Sequence, residues 1–286
     1  MSRSSLEIPF AKMHGAGNDY IYINCLESAP ENLAELARRV SDRHFGIGSD
    51  GLVAIFPSKK ADFRMRMFNA DGSEAEMCGN ASRCIGKYVY EKHLTDKKEI
   101  TLETLAGIRR LALHTDAEGK VESVTVDMGA PELRPKLVPA VSASEESMVS
   151  EPVAVGDIHY KITAVSMGNP HAVVFTDRIS DRQVLEEGPC LECAEIFPAK
   201  ANIEFARIVS PSEIEMRVWE RGTGETLACG TGACATAVAA VLNGLTGRNV
   251  DVRLIGGTLH IDWDEKSGHV FMTGPAEFIA EGIFYF

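Results

Sequence analysis

The 286-residue chain lacks the features of several large classes of protein. Its first ten residues, MSRSSLEIPF, contain no apolar core of a secretion signal, and no apolar run approaches the length that spans a bilayer. Positive charge is scarce, because 29 Lys and Arg stand against 41 Asp and Glu, and the net charge of -12 argues against a phosphate-binding surface. We therefore expect a cytoplasmic protein with neither a nucleic-acid nor a membrane partner.

Motifs for cofactors and metals are also missing. The segment around Gly222 and Gly224 lacks the third glycine of a dinucleotide-binding turn, and no P-loop Gly-Lys-Ser/Thr occurs. Cys190 and Cys193 form one CxxC with no second pair nearby, which we interpret as incidental spacing on a helix rather than a zinc or redox site. Seven cysteines, an odd number, argue against a disulfide framework. We expect no metal and no cofactor, pyridoxal phosphate included.

One short phrase occurs twice, and both copies begin with a cysteine. Cys78-Gly79-Asn80 stands in the first half and Cys229-Gly230-Thr231 in the second, each after an acidic turn that contains glycine. Each phrase opens a run of small and apolar residues, which predicts helices over 81–93 and 233–242. The second helix is almost wholly Ala, Thr, Val and Leu, so we expect it to be buried inside a wrapping sheet.

Alternating polar and apolar residues predict many strands around these helices. The clearest are 63–68, 100–104, 121–127, 214–219 and 250–254, with further strands within 151–165 and 258–272 and a helix over 31–43. The Pro- and Ser-rich stretch 131–150 near the middle of the chain indicates a domain junction. We therefore predict an α+β protein of two like domains, residues 1–130 and 131–275.

The duplicated cysteines suggest a two-sided reaction at one carbon. A cysteine at a helix start faces unpaired backbone N–H groups and the positive end of the helix dipole, and both lower the thiol pKa toward the reactive thiolate. Glycine after the cysteine lets a carboxylate approach those N–H groups closely. If Cys78 and Cys229 flanked one substrate, a thiolate could remove a proton from one face and a thiol could return one to the other.

Each of these residues also has a plain structural interpretation. Cysteines within apolar helices are commonly packing residues, which is our interpretation of Cys84 and Cys234. His171 stands in a turn where a structural histidine is common, and Glu220 with Arg221 could be a solvated pair. Four asparagines lie near turns, where Asn is frequent for backbone reasons: Asn18, Asn69, Asn169 and Asn202.

Six segments taken together resemble the diaminopimelate epimerase family. They are KMHGAGND (12–19), DRHFGIG (42–48), FNADGSE (68–74), MCGN (77–80), SMGNPH (166–171) and ERGTGETLACGTGAC (220–234). The resemblance runs almost end to end. It implies interconversion of LL- and meso-2,6-diaminopimelate, for lysine and peptidoglycan synthesis, by a two-cysteine proton transfer that needs no cofactor.

The resemblance also implies a fold and a set of site residues. Each pseudo-symmetric domain would be a curled mixed or antiparallel sheet around a central helix, with the active site in the interdomain cleft, and strand 276–286 would return to the first domain. Cys78 and Cys229 would be catalytic, with His171 and Glu220 assisting, in a chain that pairs as a homodimer. The implied substrate contacts are Asn69, Asn169, Asn202 and Arg221 at the distal end, Asn18 and Glu220 near the reacting amine, and Gly79, Asn80, Gly230 and Thr231 at the reacting carboxylate.

The chain departs from the family pattern at two places. Many relatives have Gln where Gly51 stands, so we expect one substrate contact to be lost or supplied by water. Ala81-Ser82 replaces the common Gly-Ala after Cys-Gly-Asn.

The alternative function with the same fold is that of a proline or hydroxyproline racemase, whose monocarboxylate substrate would leave Arg221 and the asparagines without a distal group to bind. A redox protein using Cys78 and Cys229, or a non-catalytic binding protein, belongs to a different class.

Overall fold

The computed structural model describes residues 6–286, which divide into two compact units. The first unit ends at Val126 and takes back the C-terminal segment Gly274–Phe286; the second is Asp127–Thr273. The stretch 131–150 thus belongs to the second unit. Within residues 6–286, no helix has both the length and the apolar composition to cross a bilayer.

The first unit is a mixed sheet with two helices. Its elements are β1 Glu7–Gly15, β2 Asn18–Asn24, α1 Leu33–Ser41, β3 Gly51–Phe56, β4 Phe63–Asn69, β5 Glu74–Ala75, α2 Gly79–Glu91, β6 Glu99–Thr104, β7 Gly107–Thr115, β8 Val121–Gly129 and, from the end of the chain, β18 Glu277–Tyr285. Strands β2 and β3 are parallel, as are β4 and β6, while the other pairs within β1–β8 and the β1–β18 pair are antiparallel.

The second unit repeats this strand pattern. Its elements are β9 Glu151–Val155, β10 Ile158–Ser166, β11 Pro170–Phe175, a π-helix Arg182–Glu187 that runs into α3 Gly188–Glu192, β12 Asn202–Ser210, β13 Glu213–Glu220, β14 Gly224–Glu225, α4 Gly230–Leu242, β15 Asn249–Leu254, β16 Gly257–Trp263 and β17 Val270–Gly274. Here β11 and β12 are parallel, as are β13 and β15, and the remaining pairs are antiparallel. The predicted duplication is therefore present in the strand connections themselves.

Each sheet packs against one long helix. Helix α4 contacts β10 to β13 as well as β15 and β16, so the sheet of the second unit curls around it. Almost every side chain of α4 is buried, as its all-apolar sequence predicts. In the first unit α2 contacts β1 and β7, and at Gly86 a Cβ atom would lie 2.8 Å from Leu113, so the helix sits close against the sheet. This confirms the predicted α+β class with a helix in each curled sheet.

Smaller helices cover the outer sheet surfaces. Helix α1 is capped by Asn32, whose side chain accepts a hydrogen bond from the Glu35 N–H at 3.0 Å. Its apolar residues Leu33, Leu36 and Val40 join a core with the outer face of β2 and β3. In the second unit, Leu191 of α3 belongs to a comparable cluster. These layers fix the strand ends from which the candidate site residues project.

Candidate active site

The two duplicated cysteines occupy equivalent positions in their units. Cys78 is the N-cap of α2 and Cys229 the N-cap of α4, and both have extended backbone conformations. Each carbonyl accepts the first helical hydrogen bond, from Ser82 and Ala233, at 2.9 Å. The prediction that both thiols stand at helix starts is confirmed. Each thiol therefore lies beside a set of helix N–H groups that can bind an anion.

In the first unit, amide side chains surround Cys78. Its Sγ donates to Oδ1 of Asn18 at 3.6 Å, and the same oxygen accepts from Nδ2 of Asn80 at 3.2 Å. Nδ2 of Asn18 donates to Asp50 at 2.7 Å, so the Asn18 amide is held with its oxygen toward the thiol. Burial, followed by the nearby Asp19, raises the pKa of Asp50 above its ordinary value.

A buried arginine anchors this amide network. Arg83 is fully buried, and its Nη2 donates to Oδ1 of Asn80 at 2.9 Å while its Nε donates to the carbonyl of Pro275 at 3.1 Å. The returning C-terminal segment thereby contributes directly to the surroundings of Asn80. Arg83 is a residue that the sequence interpretation missed, since nothing in the segment NASRC separates a buried arginine from an exposed one.

Asn69 and Gly51 face each other across two antiparallel strands of the first unit. Asn69 is exposed at the end of β4, where its Nδ2 donates to Ser73 at 3.0 Å. At Gly51 a Cβ atom would lie 2.1 Å from the Phe68 carbonyl oxygen and 2.9 Å from the Tyr20 ring. Because the backbone oxygen cannot move aside cheaply, this chain has no room for a side chain at position 51.

In the second unit, Cys229 is buried and lies among carboxylates. Burial raises the pKa of its thiol well above the ordinary value, and the nearby Glu220 and Glu204 raise it further. Hydrogen bonds from the Thr231 side chain and the Gly232 N–H act in the opposite direction and are outweighed. The expectation that the helix start lowers the pKa of this thiol is therefore wrong for Cys229, because burial and carboxylate charge together exceed the helix effect.

Glu220 ends β13 beside this thiol. Its Oε1 accepts from the Thr226 hydroxyl at 2.5 Å, and burial raises the pKa of the carboxyl against the opposing hydrogen bonds from Thr226 and Cys229. A carboxyl group with a raised pKa beside a thiol has the properties of a general acid or base. The alternative of a freely solvated Glu220–Arg221 pair does not fit Glu220.

His171, Asn169 and Asn202 come together at the ends of β11 and β12. His171 is fully buried and sits opposite Asn202 in the parallel register. Its Nε2 lies 3.0 Å from Oδ1 of Asn169, and its Nδ1 lies 2.6 Å from Oε1 of Glu204. His171 is therefore buried with both ring nitrogens in hydrogen-bond contact, which fits the interpretation of it as a structural histidine.

Asn202 links two stretches of backbone. Its Nδ2 donates to the Pro170 carbonyl at 2.8 Å and its Oδ1 accepts from the Arg221 N–H at 2.9 Å. The side chain of Arg221 is exposed and donates to the Ala199 carbonyl at 3.0 Å. Asn202 thus holds the Asn169–His171 turn and the backbone of Arg221 together, a role that the sequence did not reveal.

Two carboxylates of the second unit were missed by the sequence interpretation. Glu192 is buried and accepts from the Trp219 indole N–H at 2.9 Å and the Gly222 N–H at 3.1 Å, so it fixes the loop after Arg221. Glu204 is fully buried on β12 between Ile203 and Phe205. The sequence could have pointed to Glu204, because it is a single acidic residue inside an apolar strand. A buried charged residue is rare without a partner, so such a residue indicates a specific contact.

Comparison with known proteins gives one family. The family model for diaminopimelate epimerase matches residues 10–134 and 163–279. The curated diaminopimelate epimerase of Desulfovibrio desulfuricans is 55% identical over 286 residues, covering 98% of this chain and 99% of the relative. That of Acetivibrio thermocellus is 55% identical over 273 residues, covering 96% of this chain and 97% of the relative.

Solved structures that resemble the chain share its fold at low sequence identity. A hydroxyproline epimerase from Agrobacterium vitis gives a TM-score of 0.71 at 16% identity, covering 99% of this chain and 92% of that one. A phenazine biosynthesis protein of the PhzF family from Bacillus anthracis gives 0.68 at 18% identity, covering 98% of this chain and 100% of that one. At these identities the likeness concerns the fold alone, whereas the family match and the 55% identities decide membership: this chain belongs to the diaminopimelate epimerase family.

Proposed function

We propose that the protein is an isomerase that interconverts LL- and meso-2,6-diaminopimelate, the activity named for its relatives. The observation that carries this proposal is the pair of Cys-Gly helix starts, one in each unit, within a chain 55% identical to curated relatives over nearly its full length. The proposed setting is lysine and peptidoglycan precursor synthesis in the cytoplasm, by a homodimer.

The proposed reaction inverts one carbon by two cysteines. The thiolate of one cysteine takes the proton from Cα, and the electron pair left behind is delocalised into the carboxylate as an enediolate. The thiol of the other cysteine then gives its proton to the opposite face of Cα. No oxidant or leaving group is needed, and the two cysteines have exchanged protonation states when the product forms.

The difficulty of this step is the low acidity of an amino-acid Cα–H. Helix N–H groups following Cys78 and Cys229 are fixed before the substrate arrives, so they would stabilise the developing negative charge of the enediolate without reorganising. We assign Gly79, Asn80, Gly230 and Thr231 to this task. The carboxyl of Glu220, whose pKa burial raises, lies beside Cys229 and would help return that thiol to its starting protonation state.

The distal amino-acid end of the substrate needs its own recognition groups. We assign Arg221, Asn69, Asn169 and Asn202 to that end, and Asn18 with Glu220 to the reacting amine. Arg221 supports this assignment, because its guanidinium is exposed while its backbone N–H is held by Asn202. A monocarboxylate such as proline would leave the guanidinium without a distal carboxylate, which argues against the racemase rival.

Proton NMR in D₂O tests the proposal. The reduced protein is incubated with LL-diaminopimelate, and separately with L-proline, without added cofactor. We expect deuterium at Cα together with meso product from diaminopimelate, and neither from proline. Turnover of proline in preference would reassign the protein to the racemases, and no exchange with either substrate, with thiols verified free, would refute the enzymatic proposal.

A further inference from the structure

Glu204 is an unusual residue for the interior of a protein. Its side chain is fully buried in β12, yet Oε2 has no hydrogen-bond partner among residues 6–286. A buried carboxylate oxygen without a partner is destabilising, and replacing a buried ion pair by apolar residues is often neutral or stabilising. Stability alone therefore does not account for a glutamate at this position.

The other oxygen of Glu204 begins a chain of contacts that leads to the surface. Oε1 lies 2.6 Å from Nδ1 of His171, whose ring is also fully buried. Nε2 of the same ring lies 3.0 Å from Oδ1 of the half-buried Asn169. Since an amide oxygen only accepts, Nε2–H donates to it, and the Glu204 carboxylate likewise accepts from Nδ1–H, so this arrangement takes the ring as an imidazolium with the amide NH2 of Asn169 turned away from it.

Comparison of the two units shows that this chain of contacts belongs to the second unit alone. Phe68 precedes Cys78 by as many residues as Trp219 precedes Cys229, so these two strand residues are equivalent. Phe68 pairs with Leu52 and Trp219 pairs with Ile203, which makes Leu52 and Ile203 equivalent as well. Val53, fully buried, therefore occupies in the first unit the position that Glu204 occupies in the second. This strand position can therefore be filled by an apolar side chain, as Val53 shows, but the second unit has a glutamate there.

A glycine in α4 accommodates the glutamate. A Cβ atom at Gly232 would lie 2.8 Å from Oε1 of Glu204 and 3.3 Å from Sγ of Cys229. The equivalent helix position of the first unit, three residues after Cys78, is the buried Ala81. The first unit thus combines Val53 with Ala81, and the second combines Glu204 with Gly232. In the second unit the missing side chain of the glycine makes room for the carboxylate.

We propose that Glu204 is a positioning residue for substrate recognition: it holds the His171 ring so that Asn169 presents its NH2 as a hydrogen-bond donor to a substrate carboxylate. The proposal rests on the proposed function, because it assigns to Asn169 a carboxylate of the diamino diacid. It adds a residue that touches no substrate and acts through two others. Without Glu204 the ring loses the contact that sets its rotation about Cβ–Cγ, and the Asn169 amide loses its fixed orientation.

Equilibrium binding of meso-diaminopimelate, measured by calorimetry, tests the inference with three variants. Glu204→Val installs the residue of the first unit, and we expect Kd to rise about tenfold or more, as loss of a hydrogen bond to a charged group predicts. Glu204→Gln retains an acceptor oxygen for Nδ1 and should stay within about threefold of the parent protein, given that neutral hydrogen bonds are the weaker kind. Asn169→Ala should raise Kd as much as Glu204→Val.

The decisive measurement is the double variant Glu204→Val with Asn169→Ala. If Glu204 acts through Asn169, Kd of the double variant equals that of Asn169→Ala, because the effects of residues in one chain of contacts are not additive. A merely structural role would give additive effects and would overturn the inference. The matched control is Thr236→Val, another fully buried polar side chain of this unit, which should leave Kd unchanged.

NMR of the imidazole protons supplies a readout independent of binding. The carboxylate-bonded Nδ1 proton of His171 should resonate far downfield in the parent protein and in Asn169→Ala, and should be lost in Glu204→Val. If the parent protein binds diaminopimelate and Glu204→Val binds it with the same Kd, this inference is overturned and the proposed function stands. Failure of the parent protein to bind diaminopimelate at all would refute the proposed function and this inference together.

Discussion

At the scale of single residues, the two thiols occupy equivalent positions in different surroundings. Cys78 is partly exposed and contacts an amide oxygen of Asn18, whereas Cys229 is buried beside two glutamates that raise its pKa. The repeat of the chain thus preserves the backbone at both helix starts and varies the side chains around them. Such variation is useful when two opposite roles, proton acceptor and proton donor, must exist at the same time.

Replacing either thiol by a hydroxyl should abolish epimerisation. For Cys78→Ser and Cys229→Ser we expect loss of product formation in the D₂O assay, because an alcohol is too weak an acid to replace the thiol. The free energy of unfolding should change by less than about 2 kcal/mol, since little volume is removed. Cys190→Ser, at an exposed cysteine of the second unit, is the control that should retain full activity.

Glu220 should make stability depend on pH. Its folded-state pKa is raised above the ordinary 4.5, so the folded protein binds this proton more tightly than the unfolded chain. The resulting stabilisation is complete below pH 4.5 and is lost as pH rises through the raised folded pKa. Glu220→Gln should therefore become more stable than the parent protein as pH rises through this window.

Denaturant unfolding at several pH values measures this difference. The exposed Glu145→Gln, which removes one carboxyl group elsewhere in the same unit, serves as the control. A constant difference for Glu220→Gln would contradict a raised pKa in the folded protein.

Introducing a glutamine at position 51 should harm this protein. A side chain there meets the Phe68 carbonyl at 2.1 Å from Cβ, so Gly51→Gln should lower the melting temperature and should not lower KM for diaminopimelate. Gly247→Gln, where the Cβ would have only one neighbour at 4.0 Å, is the control for inserting this side chain. A more active Gly51→Gln variant would show that the strand can widen.

The sequence identified the residues that stand in motifs and missed those that act through packing. Cys78 and Cys229 stood out because Cys-Gly is a local pattern that occurs twice, whereas the role predicted for Glu220 came only from the family resemblance. Arg83, Glu192 and Glu204 were missed because their partners lie far along the chain, at Pro275, Trp219 and His171. The pKa of Cys229 was misjudged for the same reason, since burial is not a local property.

At the scale of elements, the helix starts and the strand pairs show how the sequence encodes the repeat. The alternating segments 63–68 and 214–219 became β4 and β13, each one or two residues longer than predicted. The predicted helix over 233–242 begins earlier, at Gly230, because Cys229 is its N-cap and the poor helix formers Gly230 and Thr231 hid this start from the sequence pattern. The π-helix Arg182–Glu187 was not predicted, since its hydrogen-bond pattern has no periodicity signal of its own.

Helix α4 offers a test in which intrinsic helix preference and packing oppose each other. Gly232→Ala should raise helix preference by roughly 1 kcal/mol, yet its Cβ would lie 2.8 Å from Oε1 of Glu204. We expect net destabilisation and reduced activity, because the carboxylate that the new Cβ meets is held by His171 and must break that contact to move away. Gly247→Ala is the control glycine, and a stabilised, fully active Gly232→Ala would show that Glu204 moves freely.

At the scale of the whole molecule, the first unit is discontinuous in sequence. Strand β18 pairs with β1 along nearly its full length, from Glu7 opposite Tyr285 to His14 opposite Glu277. The same segment supplies the Pro275 carbonyl that Arg83 binds. The ends of the chain therefore stabilise one unit, while the second unit consists of one continuous stretch.

Removing the last twelve residues should affect the first unit selectively. A chain ending at Gly274 loses the partner of β1 and the acceptor of Arg83, so we expect faster hydrogen exchange throughout β1 and α2. Exchange within β11, β12 and α4 should change little, because the core of the second unit is intact. Ile283→Ser, at a half-exposed position of β18, is the mild control. Uniform acceleration in both units would contradict their separate stability.

The return of β18 to β1 also orders events during synthesis. Residues 127–273 are synthesised before the strand that completes the first unit, so β1 can pair with β18 only after the whole of the second unit has been made. The first unit therefore cannot complete its sheet when its first strands are made, in contrast to the usual N-to-C order in which domains fold. Until β18 pairs with it, β1 has one unpaired edge, and an unpaired strand edge is the kind of surface through which chains aggregate.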